Sequence, residues 1–367
     1  MLLSGTYKKV KLKCCGNYGM LKFIRLLYLC LYGGMVMCAC SDDNEIISPE
    51  KPVSPNTPRV CKCPEFLQSG DKIAIVSPSY VTDEATLERG MEAVRTMGFE
   101  PVLAPNVNKT YLVKYAGSPS ERAADLEWAY SNQDVKAIMV TRGGYGAIQL
   151  LPLLDAALIQ SNPKWLIGYS DITTLLSFSV AFNVMAIHGT MLSSLKVTEG
   201  KSEDDILLKN MLLGSLSQYE WASAGHVNRT GKARGVLVGG NMCTFTPLVG
   251  SPYDFTSQGD IILFVEEVGE NARNIDRMMY ALKLHGVLSR VKGILVGSFD
   301  ACGDDFNIGS IEEMLSKYTL SDVTIPIAYG FPAGHAGVNW PLIEGAVVTM
   351  NVETTHASLS FDIATVP

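Results

Sequence analysis

Short apolar runs alternate with amphipathic segments along most of the chain from about residue 64 onward. The run at 71–76 (DKIAIV) is apolar and rich in β-branched residues, which predicts a buried strand. Residues 83–97 instead repeat their apolar positions with helical spacing and carry acidic residues in the first turn, which predicts a helix. By the same criteria, further strands are predicted at 99–104, 135–141, 164–169 and 184–188, and further helices at 119–131, 145–154 and 171–182. Strands that alternate with helices at this spacing favour an α/β fold on a parallel sheet.

A polar, loop-rich stretch at 196–230 interrupts this alternation and is predicted to be a crossover linker that contains one helix. Beyond it, strands are predicted at 235–238, 260–268, 292–299 and 325–329, with paired strands in 345–359, and helices near 241–249, 271–285 and 310–318. The pattern therefore predicts two folded parts, an N-terminal α/β domain at 64–195 and a C-terminal domain at 231–367.

The N-terminal segment, residues 1–39, contains six Lys and Arg residues and no Asp or Glu. Its apolar stretch at 26–37 is too short to span a bilayer and has the length of a signal-peptide core. The stretch ends in MCAC and an acidic run, which resembles a bacterial lipoprotein signal with Cys40 as the lipidated residue. The predicted product is an exported lipoprotein of the outer membrane or cell surface. A location that faces the periplasm is the alternative. An ordinary cleaved signal, a short membrane anchor, and a true start at Met20 are alternatives.

Residues 40–63 are predicted to be a tether, because the stretch 41–60 contains four prolines and no apolar period. The chain has a formal net charge of −7, so excluding the six basic residues of the leader leaves −7 − 6 = −13 for the rest. An acidic protein of this kind is a poor phosphate binder, which argues against a nucleic-acid partner. The cysteines outside the leader lack His or Cys partners at metal spacing, so neither a metal nor another cofactor is predicted.

One serine stands at a predicted strand-to-helix junction. The predicted strand 164–169 runs directly into Ser170, and a predicted helix begins at Asp171. Such a turn lifts the hydroxyl above the sheet, where the next residue's N–H can stabilise an oxyanion. Ile172 replaces the second glycine of the G-x-S-x-G pattern, so an ordinary helix N-cap is the alternative for Ser170.

The motif RGGYG follows the predicted strand 135–141 in the same way. Gly143 or Gly144 can bring a backbone N–H close to a ligand as a second oxyanion donor, and Arg142 has the planar fork that suits a substrate carboxylate. The alternative is a flexible turn with a solvated arginine. A dinucleotide site is excluded, because the glycine spacing differs from G-x-G-x-x-G and no suitable acid lies downstream.

A serine nucleophile needs a base and a carboxylate that orients it. His335 lies between glycines in FPAGHAG, and His188 ends a predicted strand, so local sequence leaves both open as the base. Glu266 follows the apolar run 261–265, a favourable place for the orienting carboxylate. The alternative for Glu266 and its acidic neighbours is a group of solvated strand-end acids.

Taken together, seven ordered segments resemble the LD-carboxypeptidase family of serine peptidases, which includes muropeptide LD-carboxypeptidases and microcin C immunity peptidases. They span about residues 65–350: GDKIAIVSPS, TRGGYGA, IGYSDITTLL, HGTM, GGNM, LFVEEVGENARNIDRMM and GFPAGHAGVNWPL. The resemblance implies a flavodoxin-like parallel-sheet N-terminal domain and a smaller β-rich C-terminal domain, with the active site assembled across the cleft.

The resemblance also implies a triad in which Ser170 is the nucleophile, His335 the base and Glu266 the orienting acid. The implied oxyanion hole is formed by the N–H groups of Asp171 and of Gly143 or Gly144, and the implied substrate-binding residues are Arg142, Tyr145 and Asn241. Arg273 departs from the family, which commonly has an aromatic residue there.

The implied reaction releases a terminal D-amino acid, D-Ala, from a murein tetrapeptide, with a peptidoglycan-derived peptide as substrate and a homodimer as the assembly. Because this chain is predicted to be exported, whereas many members are cytoplasmic recycling enzymes, its physiological substrate is the open point. The alternatives are a peptidase for other peptide or peptide-nucleotide substrates and a non-catalytic surface lipoprotein that binds muropeptides.

Overall fold

The computed structural model describes residues 60–363, apart from 113, 197–201, 227, 306 and 308. The predicted signal peptide, Cys40 and all of the tether before residue 60 lie outside the described residues. The described residues lie within one compact unit. Within the described residues, no helix has the length and apolar character needed to cross a membrane.

The strands follow the predicted alternation, with several boundaries moved by one or two residues. They are β1 (Lys72–Val76), β2 (Glu100–Leu103), β3 (Val135–Val140), β4 (Trp165–Gly168), β5 (Ala186–His188), β6 (Gln218–Ala222), β7 (Gly231–Asn241), β8 (Ile261–Val268), β9 (Val291–Asp300), β10 (Ile327–Ala328), β11 (Leu342–Glu344), β12 (Val347–Val352) and β13 (His356–Asp362).

The α-helices lie between these strands. They are α1 (Glu84–Thr96), α2 (Pro119–Ser131), α3 (Ala156–Ser161), α4 (Thr173–Ala181), α5 (Glu203–Leu212), α6 (Met242–Phe245), α7 (Ala272–Leu284) and α8 (Ile311–Met314). Helix α2 begins as the sequence indicates, because Ser118 and Glu121 form a capping box around Pro119. The predicted helix 145–154 is instead a 3₁₀ helix over Ala147–Leu153, which contains Pro152. Proline has no N–H to donate and does not fit an α-helix interior.

The strands form two sheets, which confirms the predicted α/β class with a parallel N-terminal sheet and a second, β-rich half. In the first sheet the order is β11-β5-β4-β3-β1-β2, parallel except for the antiparallel pair β11–β5. In the second sheet the order is β10-β9-β8-β7-β12-β13-β6. There β7 to β10 are parallel, whereas β12, β13 and β6 are antiparallel.

Two strands lie where the local pattern did not place them. Strand β6 falls inside the predicted linker 196–230 and pairs with β13 at the edge of the second sheet. Strand β11, from the C-terminal half, pairs with β5 of the first sheet. The chain therefore crosses between the two sheets more than once.

Helix α4 lies between the two sheets and contacts both β5 and β7. Every residue from Thr173 to Val180 is buried, as expected for a helix that is covered on all sides. Strand β8 is also buried, from Ile261 through Glu267. The start of α4 and the carboxyl end of β8 therefore bring Ser170 and Glu266 to the interior junction of the two sheets.

Candidate active site

Ser170 sits at a strained turn between β4 and α4. Its φ is 62°, a left-handed conformation that a non-glycine residue adopts at a cost of about 1–3 kcal/mol. The turn closes tightly, because a Cβ built on Gly168 would lie 2.6 Å from the Ile172 side chain. This is the geometry of a nucleophile elbow, with Ile172 packed against Gly168 where the usual pattern has a second glycine.

The side chain of Asp171 is fixed in the interior behind this turn. Its Oδ2 atom accepts hydrogen bonds from Ser79 Oγ at 2.5 Å and from the Ala147 N–H at 3.0 Å. Burial raises the pKa of Asp171, and these two donors together with the charge of Arg122 partly offset the rise. The Asp171 carboxyl therefore anchors the turn.

The glycine loop after β3 lies directly against the serine. A Cβ built on Gly143 would lie 3.0 Å from Ser170 Cβ and 3.1 Å from Ser170 Oγ. Gly144 has a φ of 133°, and its Cβ would lie 2.4 Å from the Tyr80 ring. Glycine at residue 143 therefore lets the loop approach Ser170 closely, and glycine is required at residue 144, where the φ is positive and the Tyr80 ring leaves no room for a side chain.

Arg122 holds the surrounding loops in place and was not singled out from the sequence. It is buried, and it donates hydrogen bonds to the carbonyl oxygens of Pro78 at 2.5 Å, Gly146 at 3.0 Å and Gly117 at 3.2 Å. Burial lowers the pKa of its guanidinium, and the charge of Asp171 acts in the opposite direction. In the sequence it is one basic residue of a predicted helix, which carries no signal of this role.

Glu266 and His335 form a hydrogen-bonded pair. Glu266 Oε2 lies 2.7 Å from His335 Nδ1, and the Glu266 side chain is fully buried. The alternative of solvated strand-end acids is therefore wrong for Glu266 and for Glu267, which is also fully buried. Burial lowers the pKa of His335, but the hydrogen bond and charge of Glu266, aided by Glu267 and Asp300, leave it raised.

The loop that carries His335 is held by two side chains that the sequence did not reveal. Ser298 Oγ accepts the His335 N–H at 3.0 Å and the Ala336 N–H at 3.4 Å. Asn339 Oδ1 accepts the Gly334 N–H at 3.0 Å. Gly334 has a φ of 125°, and a Cβ there would lie 2.3 Å from Ser298 Oγ. A side chain at residue 334 would therefore displace the histidine loop.

His188, the other candidate base, occupies a different environment. It is fully buried at the end of β5, and its Nε2 lies 3.0 Å from Asn339 Oδ1. Because that oxygen also accepts the Gly334 N–H, Nε2 carries the proton in this hydrogen bond. Nδ1 has no partner among the described residues, and burial lowers the pKa of His188 to about 4. His188 is therefore a neutral histidine that helps to hold the His335 loop through Asn339.

The serine turn and the histidine loop meet. The ring of Tyr169, which precedes Ser170, lies 5.0 Å from the His335 ring and 5.8 Å from the His188 ring, centroid to centroid. Thr244, after β7, donates a hydrogen bond to the Ser170 carbonyl oxygen at 3.4 Å. Within the described part of the chain, Ser170 Oγ is not hydrogen-bonded to His335. Catalytic hydrogen bonds are often long without substrate and tighten when it binds.

The remaining predicted residues fall into two groups. Arg142 and Tyr145 are exposed on the glycine loop, where substrate can reach them. Asn241 is buried at the end of β7, and its Nδ2 donates to Glu267 Oε1 at 2.8 Å. Glu267 also accepts the Cys243 N–H at 2.7 Å, and burial raises its pKa. The structure thus gives Asn241 an internal partner, while Glu267 braces the end of β8.

Known protein families cover both halves of the chain. A model of the LD-carboxypeptidase N-terminal domain matches residues 73–189, and a model of the LD-carboxypeptidase C-terminal domain matches residues 234–350. The first match contains Ser170, and the second contains Glu266 and His335. Among the described residues, no group of three or more His, Cys, Asp or Glu side chains is placed to hold a metal ion.

Individual proteins are similar over nearly their whole length. A putative carboxypeptidase from Synechocystis is 34% identical over 301 residues, which cover 80% of this chain and 95% of that protein. Murein tetrapeptide carboxypeptidase from Pseudomonas aeruginosa is 30% identical over 292 residues, with coverages of 76% and 94%. The crystal structure of an MccF-like protein from Bacillus anthracis has a TM-score of 0.71 at 26% identity and covers 82% of this chain and 99% of that one.

Proposed function

The chain belongs to the LD-carboxypeptidase family of peptidases, and we propose that it hydrolyses an L,D peptide bond to release a terminal D-amino acid, D-Ala, from murein tetrapeptides. The observation that carries this proposal is the buried 2.7 Å contact between Glu266 and His335, beside a serine with strained backbone. This combination of carboxylate, imidazole and half-buried hydroxyl is suited to acyl transfer.

In the first step, neutral His335 accepts the Ser170 hydroxyl proton while Ser170 Oγ attacks the carbonyl carbon of the scissile bond. Glu266 holds Nδ1 in its protonated tautomer, so that Nε2 is the nitrogen available to the serine. The buried carboxylate also stabilises the imidazolium that forms. Because the pKa of His335 is raised, His335 can keep this proton until the leaving group takes it.

In this proposal, backbone N–H groups stabilise the negatively charged oxygen of the tetrahedral intermediate. The Asp171 N–H at the start of the helix and an N–H of Gly143 or Gly144 are the proposed donors. The support for them is the contact between the glycine loop and Ser170, together with the buried anchoring of Asp171. Donors fixed in this way need no reorganisation as charge develops.

Collapse of the intermediate breaks the peptide C–N bond, and His335 gives its proton to the leaving amine. An acyl ester on Ser170 remains. His335 then takes a proton from water, the hydroxide equivalent attacks the ester, and Ser170 recovers its proton as the peptide acid leaves. Arg142 and Tyr145, exposed on the glycine loop, are proposed to contact the substrate, whereas Asn241 contributes by bracing Glu267.

The direct test compares the purified protein with its Ser170→Ala variant on a murein tetrapeptide. We expect the wild type to release D-Ala and the variant to lose at least about 10³-fold in rate, because the nucleophile is absent. Circular dichroism of both proteins controls for folding. Undiminished release by the variant would remove Ser170 from its proposed role.

A second candidate substrate class is a peptide joined to a nucleotide. It is favoured by the structural similarity to microcin C7 self immunity protein MccF, which is 26% identical with a TM-score of 0.70 and whose structure was solved in complex with aspartyl sulfamoyl adenosine. Mass spectrometry of products from a muropeptide mixture and from a peptidyl-nucleotide analogue, run in parallel, separates the two classes. Turnover of only the nucleotide conjugate would replace the murein assignment and keep the chemistry.

We further propose that the enzyme is an exported homodimeric lipoprotein anchored through Cys40. The support is the basic and apolar leader, which ends in MCAC before an acidic stretch. Mass spectrometry of the N-terminal peptide from a membrane fraction tests for the acylated Cys40. Light scattering of the purified protein tests the dimer.

A further inference from the structure

Two basic side chains outside the proposed triad line one cavity beside the glycine loop. The cavity has a volume of about 270 Å³, and it is lined by Tyr80, Val81, Lys114 and Arg142. Arg142 directly precedes Gly143, whose backbone lies against Ser170 Oγ. The cavity therefore adjoins the nucleophile.

Neither cation in this cavity has an anionic partner in the part of the chain that the structure describes. Among the described residues, Lys114 and Arg142 form no ion pair. By contrast, Lys109, on the same connection between β2 and α2, lies 2.6 Å from a Glu121 oxygen. Two like charges beside each other repel unless an anion joins them. These two basic residues stand together although the chain as a whole carries an excess of acids. The cavity is thus charged for an anionic ligand.

Tyr80 and Val81 connect the segment of Lys114 to the glycine loop of Arg142. The Lys114 ammonium lies 5.5 Å from the centroid of the Tyr80 ring, and the Lys114 carbonyl accepts the Val81 N–H at 2.8 Å. The Tyr80 ring packs against Gly144 of the glycine loop, two residues after Arg142, which also lines the cavity. These contacts bring both basic residues to the same cavity.

We propose that Lys114 and Arg142 bind the terminal carboxylate of the amino acid that leaves, and so restrict the enzyme to the free C-terminal end of its substrate. The inference rests on the proposed peptidase function and adds a recognition site to it. A guanidinium fork and an ammonium point charge together match a carboxylate. The cavity volume of about 270 Å³ accommodates one terminal residue.

The test measures binding without turnover, in the Ser170→Ala protein. Calorimetry compares a murein tetrapeptide with the same peptide as its C-terminal carboxamide, which keeps the shape and removes the charge. We expect the free acid to bind at least about tenfold more tightly, since charge-assisted hydrogen bonds are the strong ones. Adding Lys114→Met or Arg142→Met should weaken binding of the acid about tenfold and leave binding of the amide unchanged.

Two further variants provide matched controls. Lys114→Arg keeps the charge and should keep the preference for the acid. Lys232→Met removes an exposed lysine on β7 of the second sheet and should leave both affinities as they are.

Equal binding of acid and amide, or no binding of either, would overturn the assignment. So would a loss in Lys114→Met that affects acid and amide alike, because the charge would then contact another carboxylate of the peptide. These outcomes are independent of catalysis. A wild-type protein that binds the acid selectively but releases no D-Ala would refute the proposed function and leave the carboxylate site standing.

Discussion

Replacing Glu266 by Gln tests the catalytic role of the buried carboxylate with the smallest change in shape. The substitution keeps the side-chain volume and removes the negative charge that lies 2.7 Å from His335 Nδ1. The adjacent carboxylate of Glu267 is not free to substitute for it, because Glu267 already accepts hydrogen bonds from Asn241, Cys243 and the Val268 N–H. The variant therefore isolates one charge.

The size of the effect follows from the burial of the pair. Glu266 is fully buried, so solvent screens its charge poorly, and loss of one partner of such a pair costs about 3–5 kcal/mol. If that cost falls on the imidazolium in the transition state, kcat should drop about 10²- to 10⁴-fold, because each 1.36 kcal/mol is a factor of ten. KM should change little, since Glu266 is not proposed to contact substrate.

The pH profile gives a second readout of the same substitution. His335 acts as a base only when neutral, so kcat/KM should rise with pH through its raised pKa in the wild type. In Glu266→Gln the largest raising influence on the pKa of His335 is lost while burial still lowers it, so the acid limb should move to lower pH. The assay is D-Ala release from tetrapeptide between pH 4 and 9.

Glu267→Gln is the matched control, because it removes a buried charge from the next residue without touching His335. It should lower stability and shift the acid limb less. A Glu266→Gln enzyme within tenfold of wild-type kcat, or with an unmoved acid limb, would refute the orienting role.

Three other substitutions test how the fold supports the site. Ser298→Ala removes the acceptor of two N–H groups in the His335 loop, so kcat should fall about tenfold in steady-state kinetics. The separate variant Ser298→Thr keeps the hydroxyl and should keep the wild-type kcat. Arg122→Met leaves three carbonyl oxygens without their donor and should lower the free energy of unfolding by about 3–5 kcal/mol in urea titrations. Glu344 is buried with neither carboxyl oxygen hydrogen-bonded to a described residue, and burial raises its pKa well above 4.5. The contribution of Glu344 to the free energy of unfolding is therefore fully present below the pKa that this group has in the unfolded chain, and it is lost as pH rises. Glu344→Met should raise the free energy of unfolding by about 1–3 kcal/mol at pH 8 and by less at pH 4, in the same urea titrations.

Local pattern was sufficient for the elements that present the site. The apolar run of β8 and the strand-to-helix junction at Ser170 are visible in short windows, because a buried parallel strand is continuously hydrophobic and a tight turn needs glycine. The pairing of β11 with β5 was not visible, since it joins segments more than 150 residues apart with no local signature. Its three buried residues resemble any short apolar run.

The roles of the supporting side chains could not be predicted from the sequence either. Ser298 and Asn339 are ordinary polar residues, and their roles come only from where the chain brings their oxygens: next to the N–H groups of the His335 loop. The choice between His188 and His335 likewise depended on three-dimensional surroundings. One histidine meets a carboxylate and the other meets an amide.

The central claim, that Ser170 is a nucleophile activated by His335, is tested most directly by covalent labelling. The protein is incubated with a fluorophosphonate probe, digested, and the modified peptide is identified by mass spectrometry. One label per chain on Ser170, absent from Ser170→Ala and slowed at least about 100-fold in His335→Gln, is the predicted result. Label on another residue, or an unlabelled Ser170 in a preparation that releases D-Ala, would contradict it.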